Sequence, residues 1–333
     1  MRSRQPTAAF GDLWASDLIE VADDPVALGA GGRWAVAIGF EGRTVLARFR
    51  TWTAHGPART RWPGVSGSWR TSLSQEEYGH RVKAVQAHIA RGWVYQVNLC
   101  RVLSAACDAD DLRGLHRRLA TMQAPFAGLL ALPESDVHIA SASPERFLTR
   151  HGNRLVSSPI KGTAASPDGF LTKDRAENVM ITDLVRNDLG RIARVGSVNV
   201  DSLLTVEPYP GLHHLISTVS ADIGETDWST ILKATFPPGS VSGAPKSSAL
   251  DVIRELEPCS REWYCGIFGW IDVDSRRAEL AVAIRTFWLE DGEIRFGTGA
   301  GITWGSDPLG EWEETQLKAQ RLIALASSDS VKG

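Results

Sequence analysis

The order in which strand-like and helix-like segments follow one another constrains this chain more than any other feature. Four short apolar runs succeed each other at residues 126–132, 137–141, 146–150 and 155–159, with no helical pattern between them. Two more stand together at 197–206 and 212–223, and three at 264–273, 279–289 and 293–298, where Asp291-Gly292 marks the tightest turn. Residues 34–49 read as two further strands turning at Glu41-Gly42. Strands that arrive in consecutive groups pair with their neighbours, so antiparallel sheets with helices packed outside are expected. Rossmann and (β/α)8 folds need strict strand–helix alternation and are excluded.

Helices punctuate these groups. Ser74 and Glu77 form an S-x-x-E capping box, Tyr78, Val82, Val85 and Ile89 recur at helical spacing, and Gly92 is placed to end the helix. The strand that follows, 93–103, puts Gln96, Asn98 and Cys100 on one face. Leu112, Leu115, Leu119 and Met122 predict a second helix, and 174–192 a long third with Val179, Met180, Leu184 and Val185 as its apolar stripe. Residues 226–236 and 245–256 are also read as helical, the latter with Pro245 at its first position, and Asp307-Pro308 as the N-cap and first residue of a terminal helix.

Composition narrows the function classes. With 36 Lys+Arg against 39 Asp+Glu the net charge is −3, which lacks the basic footprint of a nucleic-acid binder or an acidic-membrane binder. No apolar run approaches the ~18–20 residues of a membrane-spanning helix. Asp12, Asp17 and Glu20 interrupt any signal-peptide core, so a cytoplasmic protein is expected. The four cysteines, Cys100, Cys107, Cys259 and Cys265, form no C-x-x-C and read as buried free thiols. Length alone suggests about two domains at roughly 150 residues each. None of the G-x-G-x-x-G, Walker A, H-E-x-x-H or G-x-S-x-G motifs is present.

The residues with chemical promise are few. Asp174 and Glu177 lie i, i+3 on one predicted helix, and Glu311 and Glu314 do so on another, with Lys318 one turn further. If the two faces meet, they make an oxygen-rich site suited to Mg2+; solvated helix surface is the commoner fate of such a pair. Lys161 sits in the stiff turn Ser158-Pro159-Ile160-Lys161-Gly162-Thr163, where it is either a surface lysine or a nucleophile held in a cleft. Glu145, in Ser143-Pro144-Glu145-Arg146-Phe147, is either a general acid or the partner of an arginine. The run Gly297-Thr298-Gly299-Ala300-Gly301 either presents backbone N–H groups to a carboxylate or is only a loop.

Taken together, these segments resemble the chorismate-utilising enzymes, a family that includes anthranilate, aminodeoxychorismate, isochorismate and salicylate synthases. The resemblance runs from about Ser74 to Ile323 and rests on segments in family order. They are Tyr95-Gln96-Val97-Asn98-Leu99, Ser143 to Phe147, Pro159 to Thr163, Asp183-Leu184-Val185-Arg186-Asn187-Asp188, Gly239 to Lys246, Gly299-Ala300-Gly301-Ile302, and Ser306-Asp307-Pro308 with Glu311, Glu314 and Lys318. It implies an α+β fold of two large, mostly antiparallel sheets packed as a sandwich. In it, residues 1–73 form a short β-rich section integrated with a catalytic domain at 74–328. Within the family, water-using members carry a lysine where this chain has Gln96, which implies ammonia as nucleophile. Anthranilate synthases typically read P-I-A-G-T where this chain reads P-I-K-G-T, so the resemblance is nearest to the aminodeoxychorismate synthase component I branch.

Residue roles follow from the resemblance. Glu177 and Glu314 would hold Mg2+, with Asp174 and Glu311 supporting. Glu145 would be the general acid and Lys161 the nucleophile. Gln96, Thr163, His214, Tyr264, Arg285, Gly299, Ala300, Gly301 and Lys318 would contact substrate, with Tyr264 and Arg285 on the enolpyruvyl carboxylate. Lys246 is read equally as site support or helix-start structure. Ammonia would come from a separate glutamine amidotransferase subunit. Two departures stand out: Ala164-Ala165 replaces an arginine common in relatives, and no segment matches their tryptophan-binding section.

Overall fold

The structure is a computed structural model that describes residues 5–54, 56, 60–164, 166–209 and 212–328, without the side chains of Thr163, Tyr209 and Leu212. The chain begins with β1 (Thr7–Phe10), β2 (Leu13–Ala22), β3 (Arg33–Ile38), β4 (Thr44–Thr53) and β5 (Arg70–Thr71), then α1 (Gln75–Ala90), β6 (Gln96–Ala106) and α2 (Arg113–Leu119). β7 (Phe126–Leu132), β8 (Val137–Ser143), β9 (Arg146–His151), β10 (Arg154–Ser158) and β11 (Ile160–Ala164) precede α3 (Thr172–Gly190). After it come β12 (Asn199–Tyr209), β13 (Leu212–Asp222), α4 (Trp228–Thr235), β14 (Gly243–Ala244), α5 (Lys246–Leu256) and β15 (Ile267–Asp272). β16 (Arg277–Val282), β17 (Thr286–Glu290), β18 (Glu293–Ile302) and α6 (Pro308–Ser327) complete it.

The ladders among the described residues are all antiparallel, as consecutive strands favour. One path runs β6–β18–β17–β8–β7–β1–β2. It continues β2–β4–β3–β15–β16–β9–β10–β13–β12. β5 and β14 add short pairings to β6, and β11 pairs with β13. The two expected layers are therefore halves of one hydrogen-bonded sheet, joined where β1 turns into β2. The halves face each other. Gly128 of β7 lies so close to Phe10 and Phe268 that a Cβ there would come within 2.7 Å of both rings, and the two rings stand 5.1 Å apart.

Each strand of the first half feeds two cores. Leu130 and Ile139 join Val36, Leu46, Phe268 and Leu280 between the halves. Their chain neighbours Leu129 and Ala140 point the other way, into a core with Leu115, Leu119, Leu322 and Ala326 of α2 and α6. Burial on both faces explains why these strands read as unbroken apolar runs rather than alternating ones.

Local signals predict the starts of α1 and α6. Ser74 accepts from Glu77 N–H while Glu77 accepts from Ser74 N–H, the reciprocal capping box. Asp307 caps α6, accepting from Gly310 N–H at 2.8 Å.

Four expectations need correcting. The 279–289 run is two strands in different halves: β16 pairs with β15 and β9, β17 with β8 and β18. The chain crosses between them at Arg285, which adopts a left-handed φ of 52°. On α3, Val179 is exposed, and the buried face is Asn178, Ile181, Thr182, Val185, Asp188 and Leu189. Pro245 is the N-cap of α5 rather than its first residue. Cys259 is exposed, while Cys100, Cys107 and Cys265 are buried free thiols.

Candidate active site

The site begins at the first residue of β6. Gln96 is 1% exposed, and its Nε2 donates to Glu177 Oε2 on α3 at 3.4 Å. Beside it, Gly301 of β18 has no side chain, and it has no room for one: a Cβ would lie 2.2 Å from Gln96 Nε2 and 3.3 Å from Lys161 Nζ. Glycine at 301 thus lets Gln96 and Lys161 approach over bare backbone. One residue pair away, the Gly299 carbonyl accepts from Lys318 Nζ at 3.0 Å. A Cβ at 299 would come within 2.7 Å of Cys100 Sγ and the Leu99 carbonyl, and Ala300 between the two glycines is fully buried.

Lys161 is half-buried on β11, where the register with β13 shifts between Ile160 and Thr163. Gly162 makes that irregularity possible. Its φ of 90° disfavours other residues, and a Cβ would come within 2.9 Å of Asp174 Cβ. Thr163 pairs with His214 in the ladder, and its side chain lies outside the described residues. His214 is 2% exposed. Burial lowers its pKa to about 4, and the positive Arg285 adds to this, while a hydrogen bond with the Gly162 backbone opposes it. The imidazole is therefore neutral at pH 7.

Glu145 follows Pro144 between β8 and β9 and is 3% exposed. Ser143 Oγ accepts its N–H at 3.2 Å, and Val282 N–H donates to its carbonyl at 3.1 Å, which fixes the backbone. Burial raises the carboxyl pKa to about 6, against the pull of the Ser240 hydroxyl, the positive Lys161 and the Ile160 backbone. No donor meets Glu145 Oε1 at hydrogen-bond geometry. A buried glutamate that keeps a sizeable protonated fraction near neutral pH is equipped to give a proton.

The four acids come from facing helices. Asp174 caps α3, its Oδ2 accepting from Leu171 N–H at 2.8 Å. Burial raises the Glu177 pKa, Lys161 opposes this, and the negative Asp174 and Glu314 push it further up. Glu311 is raised by burial and by Glu314; its Oε1 accepts from Ser306 Oγ at 2.7 Å and stands 4.0 Å from Lys173 Nζ. At Glu314 burial also pushes upward, but Lys318 at 2.6 Å, with Lys173 and Lys161, outweighs it and the pKa is lowered.

Among the described residues, no three His, Cys, Asp or Glu side chains stand close enough to form a ready-made metal site. The donor chemistry nonetheless fits a hard divalent cation. The facing acids are all oxygen donors, and Glu177 and Glu311 are each held up in part by a neighbouring carboxylate. Three lysines now balance that charge.

Gln96, Glu145, Lys161, Glu177, Gly299, Gly301, Glu314 and Lys318 are thus linked by contact or charge. His214 and Arg285 join at one margin. Tyr264 stands apart in the core, its ring packed on Gly297, where a Cβ would come 2.0 Å from ring carbon Cγ. The sequence reading overlooked Ser240 and Lys173. Ser240 lay within the Gly239–Lys246 motif, whereas nothing in the sequence marks Lys173. Lys246 is a structural tie: its Nζ donates to Asp188 Oδ2 at 2.6 Å and to the Thr235 carbonyl at 3.2 Å, pinning α5 to α3.

A family profile described as chorismate binding enzyme matches residues 42–324. The chain belongs to this family. Aminodeoxychorismate synthase component 1 of Salmonella typhimurium is 37% identical over 291 residues, covering 83% of this chain and 63% of the relative. The Escherichia coli K12 protein of the same name is 37% identical over 272 residues, covering 78% and 59%. Anthranilate synthase component 1 of Streptomyces coelicolor is 36% identical over 274 residues, covering 78% and 53%. The chain spans less than two thirds of the length of these relatives.

Solved structures show the chorismate binding enzyme fold. The menaquinone-specific isochorismate synthase of Escherichia coli superposes with a TM-score of 0.82 at 18% identity, covering 96% of this chain and 88% of that one. Anthranilate synthase component I of Streptococcus pneumoniae TIGR4 gives 0.81 at 21%, covering 97% and 93%.

Proposed function

We propose that this chain aminates chorismate at C4 to 4-amino-4-deoxychorismate, as an aminodeoxychorismate synthase component I. The supporting observation is the meeting of Lys161 and Gln96 over Gly301, near a glutamate that titrates at about 6. Lys161, neutral when it attacks, bonds to C2; the ring double bond shifts and the C4–oxygen bond breaks. Glu145 gives its proton to the departing hydroxyl, which leaves as water. Ammonia then bonds to C4, the double bond shifts back, and the C2–nitrogen bond breaks to free Lys161. Gln96 suits this chemistry because an amide is not basic enough to activate water, and ammonia needs no activation. Arg285, neutral His214, Lys318 and the Gly299–Gly301 backbone would orient the substrate carboxylates and ring.

Glu177 and Glu314, supported by Asp174 and Glu311, would hold Mg2+, which when bound neutralises and orients a substrate carboxylate. The ammonia source would be a glutamine amidotransferase partner, the setting cytoplasmic, and the pathway p-aminobenzoate and folate synthesis. A specialised-metabolism amination uses the same step.

Anthranilate synthase is the competing enzymatic reading, and identities of 37% and 36% do not separate it. Lys161 does, since attack by ammonia at C2 needs no lysine there. A subunit that only binds chorismate or the amidotransferase is the alternative of another kind; the retained Glu145, Lys161, Glu177 and Glu314 count against it. Incubation with chorismate, Mg2+ and ammonium, with products read by mass and retention time, tests all three. Aminodeoxychorismate is expected. Anthranilate as direct product, or binding without turnover, overturns the reading.

A further inference from the structure

Four sequence motifs converge on one cavity at Glu145. It is lined by Glu145 itself, by Ser157 before Pro159, by Val185 and Asp188 of the Asp183–Asp188 motif, and by Ser240 of the Gly239–Lys246 motif. Its volume is about 20 Å3, and one water needs roughly 10–15 Å3 on that scale. The lining is mixed: hydroxyls from Ser157, Thr235 and Ser240 and the Asp188 carboxylate stand among Val185, Leu189 and Val282. Glu145 Oε1 is a buried acceptor that no protein donor meets at hydrogen-bond geometry. A buried acceptor without a protein donor costs on the order of 1–3 kcal/mol, more when charged, and such groups are ordinarily satisfied by an ordered water.

We infer that this cavity binds a single water molecule that donates to Glu145 Oε1, so that the oxygen no protein donor meets is satisfied and the carboxyl is fixed in place. The surrounding hydroxyls give the water the two to four partners it needs. The charged groups facing Glu145 are Lys161 of β11, Lys318 of α6, Arg146 of β9, and Asp188 of α3, the last neutralised by Lys246 of α5. The water adds a neutral donor to these charges, and Ser157 and Thr235 become positioning residues for the general acid, beside the Ser240 hydroxyl that acts on it directly. That role rests on the proposed amination, whereas the presence of the water does not.

The test is a crystal structure of the free chain with a titration of Glu145 followed by 13C NMR of labelled glutamate, neither of which needs turnover. Wild-type density should show one water within about 3.2 Å of Oε1. Val185→Ile, which fills the cavity without removing a polar group, should expel it. Losing a donor to the ionised form should then raise the Glu145 pKa by about one unit. If Val185→Ile does not fold, Val282→Ile, at another apolar residue of the cavity wall, followed by the same titration replaces it. Lack of wild-type density overturns the proposal, as does an unmoved titration once the water is gone. A titration that moves with added ammonium at constant ionic strength assigns the site to ammonia and also overturns it.

Discussion

Glu145 illustrates how one side chain carries opposite demands. Its carboxyl titrates at about 6 in the folded chain against a usual 4.5. A raised carboxyl pKa means that the folded state binds the extra proton. The stability it confers is full below about pH 4.5 and is lost as pH rises through about 6. The shift corresponds to about 2 kcal/mol at pH 8. Glu145→Gln should therefore stabilise the chain by that order at pH 8 and by almost nothing at pH 4, read from urea midpoints at the two pH values. The same change removes the transferable proton and should lower kcat by roughly 10²–10⁴ in the product assay. Equal stabilisation at both pH values would show that the burial argument is wrong. Lys161, Glu145, Glu311 and Glu314 were legible as candidates because each lies in a short ordered motif, whereas Asp174 and Glu177 were legible only by their spacing of one helical turn. The lysines that balance the acids were only half legible: Lys318 follows Glu314 by one helical turn, whereas Lys173 reaches Glu311 from another helix.

Among the elements, α3 shows why periodicity misleads. The apolar residues Val179, Met180, Leu184 and Val185 suggest one stripe, yet the helix buries Asn178, Thr182 and Asp188. These polar groups are affordable inside because distant segments satisfy them. Asn178 Nδ2 donates to the Leu215 carbonyl at 2.9 Å, and Lys246 donates to Asp188. A single sequence reveals neither partner. Burial raises the Asp188 pKa and Lys246 opposes it, so the pair is tightly conditional. Lys246→Met should destabilise by about 3 kcal/mol because it strands a buried carboxylate. The loss should grow as pH rises, and Asp188→Asn in the same chain should recover most of it, both read from denaturation midpoints. By contrast, the starts of α1 and α6 were legible to the residue because their N-caps use near neighbours.

At the scale of the whole molecule, grouped strands foretold antiparallel pairing, while the crossing at Arg285 was invisible because an arginine at positive φ carries no sequence signature. The N-terminal strands are built into both halves: β1 pairs with β7, and β3 lies between β4 and β15. Deleting residues 1–38 should bare the β7, β4 and β15 edges and yield aggregated protein, seen by size-exclusion chromatography of the soluble fraction. A monomeric, cooperatively melting product would contradict the placement of β1 and β3. Their long-range pairing has a further consequence during synthesis. Trp34 is fully buried opposite Ile271, which a ribosome reaches only after roughly ten to fifty seconds at ordinary elongation rates. For that interval β3 has β4 on one side and nothing on the other, so the nascent chain carries an apolar edge that a chaperone must shield or a slow codon would lengthen.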